Sequence, residues 1–450
     1  MSGYQRIGKQ EMAQGCPDQD MKDQVLMGSR RQLLSGTAAA LLCGRAAKAS
    51  DRASEASDGA AGPVFHPLGP DADQYGAAQG FPAQRPFETP DHRVGAFSHF
   101  DALYPTRRIA RAPAQWDFGH APAEIVYRYN GRSASVSDYL NRNPVTGLLI
   151  ARGDDVLFEA YQYGRTDRDR LLSQSMAKSI TGMLIGIAIA EGAIRSVDDH
   201  ADAYVAEFKA TEYGRTAIRD LLHMSSGVAF GEEADNQRDL NRLWLDLMGG
   251  YLAAYAGTAK GTIGGIVQFN QRVAPPGTRF FYASIEADVL GVVLRRATGR
   301  TLSDYLHERI WQRIGTEADA TWLIDSQGCE VAHGFFNAVL RDYARLGRLL
   351  AYDGNWNGAQ IVPRQWLIDA TTVRASDAYL APGRADRTFG YGYLLWLLPW
   401  GERQFALFGG FGQRICVDPA SKLVLVQTAV DQGPEIWSLW RGLLRQFGKA

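Results

Sequence analysis

Short apolar runs bounded by glycine, proline or aspartate predict β-strands towards both ends of this chain. The early pair, 147–152 and 156–161, flanks Gly153-Asp154-Asp155 and is typical of a β-hairpin. The late strands are predicted at 391–396, 405–408, 414–418 and 423–427, the last two as a second hairpin, before a closing helix at 436–447. Because strands come early and late, we expect one sheet built from both chain ends.

Longer apolar stretches between the two groups of strands predict helices. The stretch 183–190 is apolar nearly all round, which predicts a helix buried on most sides, and Gly192 supplies its C-terminal stop. Further helices are predicted to begin at 197–202, to span 218–224 and 285–294, and to follow one another from 304 to 350. The predicted fold class is α+β: a sheet flanked by helices, with a helical subdomain inserted at about 196–330.

The first 49 residues have the pattern of an export signal. Arg30 and Arg31 precede a short apolar run, 33–43, and small residues surround Ala49. This pattern is typical of a twin-arginine signal cleaved after Ala49, and the apolar run is too short to span a bilayer. We therefore expect a periplasmic or secreted protein without a stable membrane anchor. The alternative is a disordered tail with a chance arginine pair.

The segment that follows differs in composition from the rest of the chain. Residues 50–92 are rich in Ala, Gly, Pro, Asp and Ser, which is typical of a linker or of an arm that wraps a domain. Apolar content then rises, and we expect the folded domain to span 93–450. The charged segment 232–242 has no clear period and is predicted as a surface loop, with a flap over a cleft as the alternative.

Composition excludes several classes of function. The 450 residues carry a net charge of −1 and no long charge run, so nucleic acid is not an expected partner. The chain has no Gly-rich phosphate loop, no dinucleotide fingerprint, no His-Glu-x-x-His and no Cys-x-x-Cys, and we therefore predict neither a cofactor nor a metal. Cys329 and Cys416, which would remain after cleavage, are predicted to be free core residues. His223 is predicted to be a structural residue at a helix end.

The candidate chemistry begins where the polar segment 171–178 meets the apolar helix. Ser175 falls at or just before the predicted N-terminus, and Lys178 lies one turn on, on the same face. A serine hydroxyl becomes a strong nucleophile when a neighbouring base takes its proton, and Lys178 can reach it. Ser-x-x-Lys by itself also fits a helix-capping serine beside a surface lysine, so the hypothesis depends on partners elsewhere.

Two later motifs supply such partners. Tyr282-Ala283-Ser284 lies in the turn before the helix predicted at 285–294, which exposes two hydroxyl groups. The strand 405–408 is interrupted by Gly409-Gly410-Phe411-Gly412, a glycine-rich edge. Taken alone, Tyr282 fits a half-buried turn tyrosine and Trp396, in the preceding strand, fits a core ring.

Ser175-x-x-Lys178, Tyr282-x-Ser284 and the glycine-rich edge, in that order, resemble the serine β-lactamase and penicillin-binding-protein superfamily. The likeness is greater to its class C branch, and within it to the 6-aminohexanoate-dimer hydrolases and β-lactamase-like carboxylesterases. It runs from about residue 95 to the C-terminus. The segment 221–227 and the stretch Gly409-x-x-Gly412-Gln413 strengthen it.

The resemblance implies a β-lactamase/transpeptidase-like fold and a role for each motif. Ser175 would be the acylated nucleophile, Lys178 its proton acceptor, and Tyr282 the group that passes the proton to the leaving group. The backbone N–H groups of Ser175 and Gly410 would form the oxyanion hole. Substrate would be bound by the following residues: Ser284, Trp396, Phe411 and Gln413.

Departures from the family pattern bear on the substrate. The chain has no Lys-Thr-Gly, and the strand 405–408 carries no cation to bind the carboxylate of a β-lactam. That absence favours esters or linear amides. Glu233-Ala234-Asp235 stands where the 6-aminohexanoate-dimer hydrolases place a flap tyrosine that holds the amide, which argues against strong amidase activity. We therefore expect a small ester or linear amide as the substrate. The alternatives are a β-lactamase or D-amino-acid peptidase, and a non-catalytic protein that binds an envelope ligand.

Overall fold

The early and late hairpins pair with each other in the middle of one sheet. This is seen in a computed structural model that describes residues 62–76, 90–232, 236, 238–249 and 259–448. The predicted export signal at 1–49, most of the predicted linker and Glu233-Ala234-Asp235 lie outside these residues.

The strands in chain order are β1 Val64–Phe65, β2 Thr106–Ile109, β3 Gly119–His120, β4 Val126–Tyr129, β5 Arg132–Ser135, β6 Val145–Arg152, β7 Asp155–Tyr161, β8 Leu171–Leu172, β9 Ala320–Leu323, β10 Phe336–Ala338, β11 Asn355–Trp356, β12 Ala359–Gln360, β13 Gly390–Tyr391, β14 Trp396–Leu397, β15 Phe405–Gly409, β16 Gln413–Asp418 and β17 Leu423–Ala429. The helices are α1 Ala72–Tyr75, α2 Arg93–Ser98, α3 Phe100–Leu103, α4 Val136–Arg142, α5 Met176–Ala190, α6 Ile218–Leu222, α7 Arg238–Met248, α8 Gly261–Ile266, α9 Ser284–Thr298, α10 Leu302–Leu306, α11 Leu340–Ala351, α12 Arg364–Ala370 and α13 Glu435–Phe447.

The main sheet has the order β1-β7-β6-β17-β16-β15-β14-β13, with β3 also beside β7. Pairing is antiparallel from β7 through to β13, and β1 and β3 run parallel to β7. The predicted antiparallel sheet built from both chain ends is thus confirmed. Because β1 pairs with β7, residues 64–65 of the predicted linker or arm lie along this sheet.

Alternating side chains of the central strands enter two cores, one on each face of the sheet. On β6, Leu149 faces the larger core with α5 and α11, whereas Leu148 and Ile150 face the smaller core with α13. The predicted buried helix is confirmed, since α5 is buried from Met176 to Ala188. Gly192 adopts φ 76° just beyond its C-terminus, a conformation that favours glycine.

A second sheet has the order β2-β9-β10-β8, and its strands β9 and β10 come from the part of the chain that was predicted to be helical. Strand β8 ends at Leu172, three residues before Ser175, and pairs with β10, so this sheet fixes the approach to α5. The helices α6 to α10 lie within the predicted subdomain, 196–330.

Four local predictions were wrong. Strands β9 and β10 interrupt the helices expected between 304 and 350. Only the short 3₁₀ turns Ala201–Ala203 and Ala206–Phe208 follow the helix start predicted at 197–202. The strand expected at 391–396 is a tight hairpin, β13–β14, because Leu394 adopts φ 56°. The predicted loop 232–242 contains the start of α7.

Of the two cysteines predicted to be free core residues, Cys416 lies in the core and Cys329 does not. Cys416 is buried and Cys329 is partly exposed, and both are free thiols. Among the described residues, none of the helices combines the length and apolarity that crossing a membrane requires. The same residues contain no cluster of three His, Cys, Asp or Glu side chains arranged to hold a metal ion.

Candidate active site

Ser175 stands at the head of α5, where a strained turn presents it. The preceding residue, Gln174, adopts φ 46°, which is uncommon for a side chain other than glycine. Ser173 fixes this turn, because its N–H donates to the Phe336 carbonyl (2.7 Å) and its hydroxyl accepts from the Phe336 N–H (3.1 Å). The Ser175 hydroxyl therefore projects from the N-terminal end of a buried helix, whose dipole favours negative charge there.

The Lys178 amine lies against that hydroxyl. Its Nζ is 2.8 Å from the Ser175 Oγ and 2.8 Å from the carbonyl oxygen of His333, and the residue is only 1% exposed. The ring centroid of Tyr282 is 5.0 Å from the same Nζ. The structure thus brings Ser175, Lys178 and Tyr282 together from three separate parts of the sequence.

Tyr282 is held by a group of aromatic rings. Trp396 stacks on it with centroids 5.7 Å apart and planes at 26°, and Tyr391 meets it edge-on at 6.3 Å. Burial raises the pKa of Tyr391 well above its usual value, with smaller contributions from Tyr282, Glu286 and Glu232, so this second phenol stays neutral. Of the two, Tyr282 is the half-buried phenol beside the lysine.

The glycine-rich edge lies directly beside the Ser175 turn. A side-chain carbon at Gly409 would lie 2.3 Å from the Ser173 carbonyl oxygen and 3.0 Å from the Gln174 Cβ, so only glycine lets β15 approach this closely. Gly410 is exposed, and a carbon added there would meet no atom within 4 Å. Its position next to Gly409, which abuts the Ser175 turn, is compatible with the predicted oxyanion hole.

A serine hydroxyl beside a buried amine and a phenol, at the end of a mixed sheet, agrees with one family. A family model described as "Beta-lactamase" matches residues 136–438. The chain belongs to the beta-lactamase family. It is a hydrolase with the β-lactamase fold, and the expected family resemblance is confirmed.

Several known proteins are similar to this chain. A 6-aminohexanoate-dimer hydrolase of Paenarthrobacter ureafaciens is 27% identical over 376 residues, which cover 82% of this chain and 93% of the relative. A solved structure from Bacillus anthracis, described as a 6-aminohexanoate-dimer hydrolase, has a TM-score of 0.72 at 23% identity and covers 84% of this chain and 97% of that chain. EstCE1, a hydrolase with promiscuous acyltransferase activity, has a TM-score of 0.52 at 16% identity, covering 68% and 94%. These structures confirm the predicted fold.

In this β-lactamase-family chain, Ser284 has a partner that the sequence did not indicate. Its backbone N–H and its hydroxyl both donate to the carboxylate of Glu232. The carboxylate satisfies the first backbone N–H of α9, and Ser284 itself is 2% exposed. Ser284 therefore anchors Glu232, the first residue of the segment 232–242 that was predicted as a loop or flap.

Gln413 and Phe411 support the glycine edge of the family fold. The Gln413 side chain is buried and donates to the carbonyls of Gly410 (3.1 Å) and Ala429 (2.7 Å), so its amide shapes the turn rather than facing substrate. The Phe411 ring packs against Phe97 at 5.3 Å, with the Arg93 guanidinium 4.6 Å above it. Contact of Phe411 with substrate stays a prediction.

His223 lies at the end of α6, as expected, but its ring is buried. It packs on Tyr393 with centroids 4.9 Å apart and planes tilted by 34°, and burial lowers the pKa of its imidazole to about 4. A neutral, buried ring packed on an aromatic partner is a structural residue, in agreement with the prediction.

Sequence reasoning missed a group of polar residues buried behind the site. Glu286 accepts from the Ser226 hydroxyl at 2.6 Å, and burial raises its pKa well above the usual range. Asp288 binds both the backbone and the ring of His333, whose carbonyl accepts from Lys178. The available signal was two acidic residues, Glu286 and Asp288, in an otherwise apolar helix.

Proposed function

We propose that the protein is a serine hydrolase that cleaves carboxylic esters or small linear amides through an acyl-enzyme on Ser175. The observation that carries this proposal is the 2.8 Å contact between the Lys178 amine and the Ser175 hydroxyl. The amine is buried, and the Tyr282 ring lies 5.0 Å from it. A base in hydrogen-bond contact with a hydroxyl at a helix N-terminus is the arrangement that activates a serine nucleophile.

The reaction follows from the positions of these groups. Lys178 takes the Ser175 proton as Oγ bonds to the substrate carbonyl carbon, and the resulting oxyanion is stabilised by the N–H groups of Ser175 and Gly410. The proton passes through Tyr282 to the departing alcohol or amine, which leaves Ser175 acylated. Water then attacks the acyl group, the same groups remove its proton, and the carboxylic acid is released with Ser175 regenerated.

The surroundings of the glycine edge favour esters and linear amides over β-lactams. Phe408 stands on β15 where the family motif would place a cation before the glycines. Its cross-strand partner Arg414 does not replace that cation, since its Nη1 donates to the carbonyls of Gly409 and Gln413, each at 2.8 Å. The name of the Paenarthrobacter relative, a hydrolase of a linear amide dimer, supports the same substrate class.

A fluorophosphonate probe tests the nucleophile. We expect it to label the wild-type protein and the control variant Ser133→Ala, which alters an exposed hairpin serine, but not Ser175→Ala. p-Nitrophenyl esters of short acids should be hydrolysed by the same two labelled proteins. Equal labelling of wild type and Ser175→Ala would overturn the proposal.

The second candidate, a β-lactamase or D-amino-acid peptidase, is distinguished by substrate. Brisk ester hydrolysis beside an intact chromogenic cephalosporin would exclude it, and efficient cephalosporin turnover would replace the ester proposal. Hydrolysis of any ester by the wild type, lost in Ser175→Ala, would exclude a non-catalytic ligand-binding protein.

We further propose that the protein is exported by the twin-arginine route. The motive is the pair Arg30-Arg31 before a short apolar run and Ala49. Replacing both arginines with lysine should retain the precursor inside the cell, which fractionation and blotting would detect. Unchanged export of that variant would refute the assignment.

A further inference from the structure

The second hydrogen bond of Lys178 determines where its amine can point. The Nζ donates to the His333 carbonyl at 2.8 Å, on a side chain that is buried. A neutral amine has two N–H bonds and one lone pair, and a carbonyl oxygen can only accept. When His333 accepts one N–H, rotation of the amine is restricted and its lone pair can face the Ser175 hydroxyl 2.8 Å away.

The carbonyl of His333 is itself held by a carboxylate from another element. One oxygen of Asp288 accepts from the His333 backbone N–H at 3.1 Å, and the other lies 2.7 Å from the ring Nδ1. An ionised carboxylate accepts only, so the ring nitrogen donates to it. Asp288 thus binds the residue at two points, and Asp288 and His333 are 1% and 6% exposed.

Neighbouring contacts fix the rest of this loop. The indole N–H of Trp322 donates to the carbonyls of Val331 (2.9 Å) and Gly334 (3.0 Å), on either side of His333. Helix α9 approaches the loop so closely that a carbon added at Gly291 would lie 2.6 Å from the Ala332 Cβ. The loop is therefore positioned against α9 by both polar and steric contacts.

Helix α9 also determines where Tyr282 lies, since it begins at Ser284, two residues after the tyrosine. The same rigid helix carries Asp288 one turn further on. Because α5 packs against α9, the distance between the amine and the phenol is set by one helix pair.

We propose that Asp288 is a positioning residue for catalysis: by binding His333 at its N–H and its ring, it orients the carbonyl that directs the Lys178 amine at Ser175. Asp288 touches neither substrate nor nucleophile and acts only through His333. This inference rests on the proposed function of Ser175 and Lys178.

The first test compares Asp288→Ala with Asp288→Asn, with kcat expressed per active site titrated by the fluorophosphonate. Alanine frees the His333 carbonyl, and we expect kcat for p-nitrophenyl ester hydrolysis to fall about 10- to 100-fold, with KM within about twofold of wild type. Asparagine retains an acceptor for the backbone N–H and a donor for the other ring tautomer, so it should restore kcat to within about threefold.

A matched control separates positioning from loss of stability. Asp138, in the first turn of α4, also binds a backbone N–H, that of the N-cap residue Ser135 at 2.7 Å. We expect Asp138→Ala to lower the unfolding midpoint and to leave kcat per titrated site unchanged. If Asp288→Ala behaves in the same way, with wild-type kcat per titrated site, the inference is overturned.

The rate at which the fluorophosphonate labels Ser175 gives a second test, because the effect of Asp288 on this rate should depend on the presence of Lys178. We expect Asp288→Ala to slow fluorophosphonate labelling of Ser175 in the wild-type background but to have less than about a twofold effect on top of Lys178→Met. Equal slowing in both backgrounds would show that Asp288 does not act through Lys178. Absence of Ser175 labelling in the wild type would instead refute the proposed function itself.

Discussion

The ring of Trp396 lies nearly parallel to the ring of Tyr282, with centroids 5.7 Å apart and planes at 26°. Trp396 also stacks on Phe408, at 5.3 Å and 19°. Trp396 therefore connects a ring of the main sheet to the candidate catalytic phenol and helps to hold the ring of Tyr282 beside Lys178.

Loss of this stack should reduce turnover. We expect Trp396→Leu to lower kcat/KM for p-nitrophenyl esters about tenfold, because Tyr282 would lose the ring that holds it in position for proton transfer. Trp396→Phe keeps a ring and should lose less than Trp396→Leu. Trp400 contacts Phe389 and Trp437 rather than Tyr282, so Trp400→Leu is the matched control and should retain near-wild-type kcat/KM.

Replacement of Lys178 should show whether catalysis requires its positive charge or its ability to accept a proton. Lys178→Arg keeps a cation but provides a group that cannot lose its proton at neutral pH, and Lys178→Met keeps only the bulk. We expect kcat/KM to fall by roughly 10³-fold in both variants, measured by steady-state ester hydrolysis. Lys209→Arg, at an exposed position, serves as the control. Near-wild-type activity of Lys178→Arg would contradict a role as the proton acceptor.

The two adjacent glycines of the site edge should respond differently to alanine. Gly409 is extended, at φ −129°, so alanine is allowed by the backbone, but its Cβ would lie 2.3 Å from the Ser173 carbonyl oxygen. We expect Gly409→Ala to lower the free energy of unfolding by about 1–3 kcal/mol and to displace the Ser175 turn, with a matching loss of labelling. Gly410→Ala meets open space and should change the unfolding free energy by less than about 0.5 kcal/mol. Urea denaturation compares them, and equal destabilisation would contradict the steric account.

Burial of His223 should make folding sensitive to acid. Burial lowers the pKa of its imidazole from 6.5 to about 4, so between these values the unfolded chain binds a proton that the folded chain does not. The stability associated with His223 is therefore complete above pH 6.5 and is lost as the pH falls towards 4. At pH 5 this loss is about 2 kcal/mol by linkage.

His223→Phe keeps a ring against Tyr393 and removes the titrating group. The difference in unfolding free energy between pH 7.5 and pH 5.0 should be about 2 kcal/mol smaller in this variant than in the wild type, as measured by urea denaturation at both values. The same pH dependence in both proteins would show that the imidazole does not account for it.

The sequence by itself determined the elements whose pattern is local. The hairpin at 147–161, the buried helix after Ser175 and the final hairpin and helix follow from apolar periodicity and turn residues, and each is present in the structure. The order of Ser175-x-x-Lys178, Tyr282-x-Ser284 and the glycine edge was sufficient to indicate the family. The strands β9 and β10 were missed because four- and three-residue strands among helices carry too few positions to show a period.

Only the tertiary structure decided which partners the polar groups have. Sequence spacing cannot show that Ser284 is bound by Glu232 or that the Gln413 amide donates to backbone carbonyls. It also cannot show that Asp288 is connected to Lys178 through the carbonyl of His333. The contacts between Ser284 and Glu232, between Gln413 and Ala429, and from His333 to Asp288 and Lys178 join residues 16 to 155 positions apart, and a backbone carbonyl leaves no mark in the sequence of the residue that provides it. The physical reason is that local propensity acts over a few residues, whereas a buried donor or acceptor is satisfied by whatever the packed fold brings to it.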